Sequence, residues 1–448
     1  MTHVDAIVIG SGQGGVPFAA DLAESGKRVV LVERGQLGGS CINYGCTPSK
    51  AFLASAHNAG RARRAAALGI KVTAVVDFPA TMDRVRSIRD RFEHNIARRL
   101  AEAGVTVVHA QASFVRPLVV RAGEEEYQAP LIVIDTGTSA FVPPIEGLRQ
   151  TPYLTNFTFF DQRELPASMV VLGGGYIGLE LGQGMARSGC QVTIVDHGAR
   201  VLAREEADAG ALLWTSLELD GVRALLSRSI VSVTHDASGF TTTLDDGTRL
   251  QSEALLVATG RIPNTAALDA PAAGVALDPH GYIKIDDRFA TSCPGVYAVG
   301  DVAGQPQFTH VAWEDYRRLK EILAGGTRTR DDRVLGYTTF TEPQVARVGL
   351  DAGQAKAKGL DARVVTLPLD HVARAVEWGQ EAGFYRLVVD RASEKILGAT
   401  LVGYEAGELV HVILAHMEAG STWRVLDRSM HIHPTYAEGL PSLARLLE

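Results

Sequence analysis

Cysteine is scarce here, with four in 448 residues. That excludes the disulfide framework of a secreted scaffold and fits a reducing compartment. No run of about 18 or more apolar residues occurs, the length that a membrane helix needs. Positive charge has no excess: 44 Lys and Arg stand against 51 Asp and Glu, a net charge of -7. No electrostatic footprint for nucleic acid follows from that balance. A strand pattern already begins at residues 4–9, which leaves no room for a signal peptide. The expectation is a soluble, cytoplasmic protein with neither a membrane nor a nucleic acid as partner. Hydrophobic content of 46% supports large cores, and the length suits about three domains.

Two of the four cysteines fall in one stretch, Gly38-Gly39-Ser40-Cys41-Ile42-Asn43-Tyr44-Gly45-Cys46-Thr47-Pro48-Ser49-Lys50. Pro48 disfavours helical geometry at Thr47, so a helix is expected to form around or after Cys46. Helix N-terminal N–H groups favour a thiolate, the reactive form of cysteine. Two thiols in one short turn can close into a reducible disulfide. Zinc is the alternative for a spaced cysteine pair, but no second CxxC or nearby histidine completes four ligands. No metal site is expected.

Gly10-Ser11-Gly12-Gln13-Gly14-Gly15 follows the first strand, and a second strand over 28–32 ends at Glu33. This is a dinucleotide-binding pattern in its proper strand–turn–helix context. Gly10 permits the tight turn, Gly12 lets a pyrophosphate approach the backbone, and Gly15 lets the helix pack on the strand. Glu33 is placed to accept from a ribose hydroxyl. The pattern recurs at Gly173-Gly174-Gly175-Tyr176-Ile177-Gly178, with Asp196 ending the next strand. The acid follows the last glycine by 18 residues in both copies. Two such units imply two dinucleotides, or one cofactor and one substrate dinucleotide. A carboxylate at Asp196 accepts the 2′-hydroxyl of NAD and repels the 2′-phosphate of NADP, so NADH is favoured. His197, Arg200 and Arg204 follow closely and can bind a phosphate instead.

Helices are expected over 49–67 and 81–103. The second has an apolar stripe of Val85, Ile88, Phe92, Ile96 and Leu100. Its arginine-rich face either attracts an anionic substrate or is a solvated face paired with Asp83, Asp90, Glu93 and Glu102; the second reading is favoured. Cys190 and Cys293 lie beside apolar strands and read as inert buried thiols. Near the end comes His431-Ile432-His433-Pro434-Thr435-Tyr436-Ala437-Glu438. A carboxylate at Glu438 can turn back on His433, orient its ring and raise its basicity. His431 and His433 can also chelate a metal, but further ligands are missing.

The stretch over 38–50, with G-G-[ST]-C-x-N-x-G-C-x-P-x-K, resembles the redox-active disulfide of the class I flavin-dependent pyridine nucleotide–disulfide oxidoreductases. Dihydrolipoyl dehydrogenase, glutathione reductase and mercuric reductase belong to that family. The resemblance covers essentially the whole chain. It includes Thr291-Ser292-Cys293-Pro294-Gly295-Val296-Tyr297-Ala298-Val299-Gly300-Asp301, similar to the second FAD segment, and Phe340-Thr341-Glu342-Pro343, similar to the interface domain. The fold it implies is α/β: two Rossmann-like domains, for FAD and NAD(P), plus a C-terminal α+β dimerisation domain. The expected spans are FAD-binding 1–147, NAD(P)-binding 148–262, a central return to the FAD domain 263–330, and dimerisation 331–448.

The resemblance also implies roles. Cys41 is the interchange thiol and Cys46 the one against the flavin. Lys50 and Glu180 form an ion pair beside flavin N5, and Tyr176 gates the nicotinamide pocket. Asp301 holds the ribityl chain. The helix starting near Thr309 and His310 points its N–H groups at the pyrimidine ring. Gly39, Ser40 and Gly137 join the FAD set, and Gly260 joins Gly173, Gly175 and Gly178 around the second dinucleotide. His433 and Glu438 reach the disulfide of the partner subunit, so the active unit is a homodimer. The implied activity passes electrons between NAD(P)H, NAD(H) favoured, and a small disulfide through FAD and a Cys41–Cys46 disulfide, with dihydrolipoyl dehydrogenase as the nearest template. Reduction of a mercuric or copper ion or of a quinone, and a flavoprotein redox sensor without turnover, are the alternatives. The last residues, Ala444-Arg445-Leu446-Leu447-Glu448, lack the vicinal cysteines in which well-known mercuric reductases end.

Overall fold

The computed structural model describes residues 1–448. Ala-Ile-Val-Ile over Ala6–Ile9 is buried throughout, as an inner strand of a parallel sheet covered on both faces must be. It lies between Ile132–Ile134 and Val29–Glu33, with Val296–Ala298 and Thr106–His109 at the edges, all parallel. Residues almost 300 positions along the chain thus return to the sheet that starts it. A second parallel sheet runs Arg223–Leu226, Gln191–Asp196, Ser168–Leu172, Ala254–Val257. The C-terminal unit is different: five antiparallel strands in the order Gly336–Thr339, Gln344–Gly349, Ile396–Gly403, Phe384–Asp390, Ala362–Pro368. No helix is long and apolar enough to cross a membrane.

Two helices differ from their expected spans. The one expected at 49–67 is Cys46–Arg64. Pro48 falls in its first turn, where its missing N–H has no intrahelical partner to lose, and the helix includes Thr47 although a residue before proline disfavours that geometry. The other is Phe78–Glu102, capped by Asp77, whose side chain accepts from the Ala80 N–H at 3.0 Å. Its stripe is also broken. Phe78, Met82 and Val85 join one core with Phe52, and Leu100 joins another. Phe92 lies between the two cores and is exposed. Arginines on its other face pair with Asp83, Asp90, Asp161 and Glu102.

The Cys46–Arg64 helix crosses the Tyr176–Ser188 helix of the second unit at close range. A Cβ on Gly184 would stand 2.5 Å from the Phe52 ring, and one on Gly60 would stand 2.8 Å from the Arg187 side chain. Glycine at both places lets the two helices approach. Their N-terminal turns, carrying Lys50 and Glu180, therefore meet.

Candidate active site

Cys46 is the first residue of its helix, and Cys41 lies in the short helix Gly39–Asn43. The buried Asn43 amide donates to the Leu37 and Gly39 carbonyls, at 2.9 and 3.1 Å, and fixes the turn between them. Both cysteines are free thiols in this structure. The Cys46 sulfur lies 2.9 Å from the Thr309 hydroxyl, and Thr309 opens the Thr309–Leu323 helix. Two helix N-termini thus converge on one sulfur. The neighbouring Cys41, the Thr309 hydroxyl and the Lys50 charge together push Cys46 down to about 6. Cys41 moves the other way, well above the ordinary thiol range, because the Cys46 sulfur lies beside it and burial disfavours its charge. Cys46 is solvent-exposed although protein surrounds it on most sides, as befits a cleft wall.

Lys50 Nζ lies 2.7 Å from Glu180 Oε2, joining the two nucleotide units. The other Glu180 oxygen accepts from the Phe340 N–H at 2.8 Å, and the ammonium sits 4.5 Å over the Phe340 ring. Tyr176 donates to buried Glu205 at 2.6 Å, as does Tyr337 of the C-terminal unit at 3.0 Å.

The two glycine motifs are built alike. A Cβ on Gly10 would stand 2.2 Å from the Asp135 carbonyl, and one on Gly173 would stand 2.5 Å from the Ala258 carbonyl. Gly15 and Gly178 likewise press on the carbonyls of Gly10 and Gly173, at 2.3 and 2.0 Å. Glu33 accepts from the Ser11 N–H at 2.9 Å, and Asp196 from the Gly174 N–H at 2.6 Å. Each acid is thereby aimed at the motif's own turn. Added Cβ atoms on Gly137, Gly175 and Gly260 would meet nothing within 4 Å, which leaves room for a ligand to lie close. Gly39 packs on Gly12, and Ser40 lies within 3.5 Å of Arg261. Asp301 accepts from Thr138 at 2.7 Å, and burial raises its pKa. These residues fit a dinucleotide in each unit.

Two further expected residues, His310 and His433, lie against or within the C-terminal unit. The His310 ring stacks on Phe308 and bonds the Gly336 carbonyl at 2.7 Å, so it faces the C-terminal unit. His433 Nδ1 lies 2.7 Å from Glu438 Oε2, but its side chain is 71% exposed. No hydrogen bond or ion pair joins it to either cysteine of its own chain.

Three residues escaped the sequence reading. The sequence puts Thr309 at a helix start but does not mark its hydroxyl. Glu205 lies in a polar run with no pattern. Asp135 ends the apolar run Leu131–Asp135 that comes just before Thr136-Gly137, and that ending was its only signal. It accepts from the Gly14 and Gly15 N–H groups at 3.1 and 2.6 Å, and burial raises its pKa well above the ordinary carboxylate range.

Residues 4–315 match the family described as "Pyridine nucleotide-disulphide oxidoreductase", and residues 336–444 match its dimerisation domain. The "Probable pyridine nucleotide-disulfide oxidoreductase RclA" of Escherichia coli (strain K12) is 33% identical over 100% of both chains. A mercuric reductase of Acidithiobacillus ferrooxidans is 34% identical over 98% of this chain and 81% of its own. Among solved structures, the Cu(II) complex of the HOCl-induced flavoprotein disulfide reductase RclA from Escherichia coli superposes with a TM-score of 0.92 at 31% identity, covering 100% of both chains. LpdA from Mycobacterium tuberculosis has a TM-score of 0.90 at 27% identity, covering 99% of this chain and 100% of that one. This chain belongs to the pyridine nucleotide-disulphide oxidoreductase family, as an FAD- and pyridine-nucleotide-dependent oxidoreductase that carries the family's dimerisation domain.

Proposed function

We propose that this protein reduces a small disulfide with electrons from NADH, through the Cys41–Cys46 pair. The observation that supports it is the placement of the two cysteines: Cys46 opens a helix, 2.9 Å from the Thr309 hydroxyl and one turn before the lysine of the Lys50–Glu180 ion pair, and Cys41 lies in the short helix just before it. When bound, FAD would supply two-electron transfer from the nicotinamide to the cysteine disulfide. Gly10, Gly12, Gly15, Gly39, Glu33 and Asp301 would hold it, while Gly173, Gly175, Gly178, Gly260 and Asp196 would hold the nicotinamide dinucleotide.

In the reduced dithiol, Cys41 is the thiol that meets substrate. Loss of its proton to His433 of the partner subunit lets its sulfur attack the substrate disulfide, forming a mixed disulfide. The same imidazole returns the proton to the departing thiolate. Cys46 then attacks the Cys41 sulfur, closes the Cys41–Cys46 disulfide and releases the second thiol. Glu438 orients that imidazole from Nδ1. Asp196 supports NADH over NADPH, and Arg200 is already engaged by the Leu202 and Ala203 carbonyls.

Serine variants test the assignment. Cys41→Ser should leave a lone Cys46 thiolate and a long-wavelength charge-transfer band in the oxidised flavoprotein. Cys46→Ser should lack that band. Both should lose disulfide reduction and retain NADH-driven reduction of a quinone dye. A band in the Cys46→Ser protein alone would reverse the roles of the two sulfurs.

A second reading is reduction of a soft metal ion by the same dithiol. It is favoured by the relatives named as mercuric reductase and by the Cu(II) complex of RclA. Assay of disulfides, quinones and Hg(II) and Cu(II) salts, each with NADH and NADPH, separates the readings.

A further inference from the structure

Glu180 is held from behind by a chain of contacts that crosses all three units. The Phe340 N–H donates to Glu180, and the Phe340 carbonyl lies 3.0 Å from His57 Nε2. His57 Nδ1 lies 2.8 Å from an Arg187 nitrogen. Arginine only donates, so Nδ1 must accept. Nε2 therefore carries the ring proton and donates it to Phe340, and the imidazole is neutral in this arrangement. Arg187 is itself fixed by Asp220 at 2.7 Å and by Glu342, two residues beyond Phe340. Gln183 clasps the Glu342 peptide from both sides, at 2.8 Å each way.

We propose that His57 is a positioning residue for the redox centre: through the Phe340 peptide it holds Glu180, and with it Lys50, in the geometry that electron transfer requires. This rests on the reading that the Lys50–Glu180 pair lies beside the bound flavin. A buried carboxylate with each oxygen fixed by a different partner cannot drift, and a displaced Glu180 would alter the charge that Lys50 presents. Protonation of His57 breaks the arrangement, because a second ring proton would point at the Arg187 donor. Arg187 faces the ring from the Tyr176–Ser188 helix, and Arg61 is one turn along its own helix. Glu342, at 3.7 Å, is the one facing carboxylate and opposes them. Burial and Arg187 together hold the imidazole below its ordinary pKa.

The test is anaerobic flavin reduction by NADH in the FAD-loaded dimer, with the flavin midpoint potential read alongside. His57→Leu should slow the limiting reduction rate by about fivefold or more while half-saturating NADH changes by less than about twofold. Its potential should also shift. His57→Gln, which can both accept from Arg187 and donate to Phe340, should restore most of that rate. The wild type should lose rate on the acid side of neutrality, and His57→Gln should lack that limb. Wild-type rate and potential in His57→Leu would overturn the proposal. Should His57→Leu fail to fold, an unchanged acid limb in His57→Gln overturns it equally. Glu180→Gln separates the two readings: if it too leaves reduction and potential unchanged, the ion pair is not at the flavin. If it alone slows reduction, only the role of His57 falls.

Discussion

At Cys46, two helix N-termini, the Thr309 hydroxyl and the Lys50 charge act together on one negative charge. The charge-transfer absorbance of the two-electron-reduced enzyme should therefore fade as pH falls through about 6. A pH titration of that spectrum measures it directly. Asp135 poses the opposite case, a carboxyl buried where its charge is disfavoured. Its folded pKa lies above the unfolded one, so the folded state holds the extra proton. Its contribution to stability then declines as pH rises above the ordinary aspartate value of about 4. Asp135→Asn keeps an acceptor for Gly14 and Gly15 and removes that slope. The melting temperature of the apoprotein should depend less steeply on pH in the variant. The two residues also mark what a sequence discloses. Cys46 was legible because glycines, proline and a second cysteine surround it in one stretch. Asp135 was not, because its partners lie about 120 residues away and nothing local announces them.

Among the helices, register was legible and surroundings were not. Val85 and Leu100 share an apolar stripe, yet the helix is 25 residues long and serves two cores, so Phe92 between them meets solvent. The Lys50–Glu180 contact has the same character. It spans 130 residues and was accessible only through family resemblance. Its structural cause is the glycine crossing of two helices. Gly184→Ala places a methyl against the Phe52 ring and should cost ~1–3 kcal/mol by overpacking. It should also slow flavin reduction more than a surface alanine substitution of equal stability cost, since it parts Lys50 from Glu180. Calorimetry and rapid reduction kinetics on the same samples check both effects. An unchanged melting temperature would show that the overpacking cost is no larger than alanine's gain in helix propensity, about 1 kcal/mol.

For the whole molecule, the decisive arrangement is an exposed His433–Glu438 pair on a chain whose cysteines it does not touch. A mixed dimer of Cys41→Ser and His433→Gln chains tests where that pair works. If sites are shared, one site in the mixed dimer regains both groups, and activity returns that neither homodimer has. If each chain is self-sufficient, the mixed dimer is as inactive as its parents. Sharing has a consequence for the protein as a population. A subunit alone would still take electrons from the reduced pyridine nucleotide, and it would hand them to dyes or oxygen, but not to a disulfide. Specific activity toward disulfides should then fall on dilution below the dimer's dissociation constant, while dye reduction per subunit stays level. The ratio of the two activities would gauge how crowded the enzyme is, and a cell that makes too little of it would have an electron leak in place of a reductase.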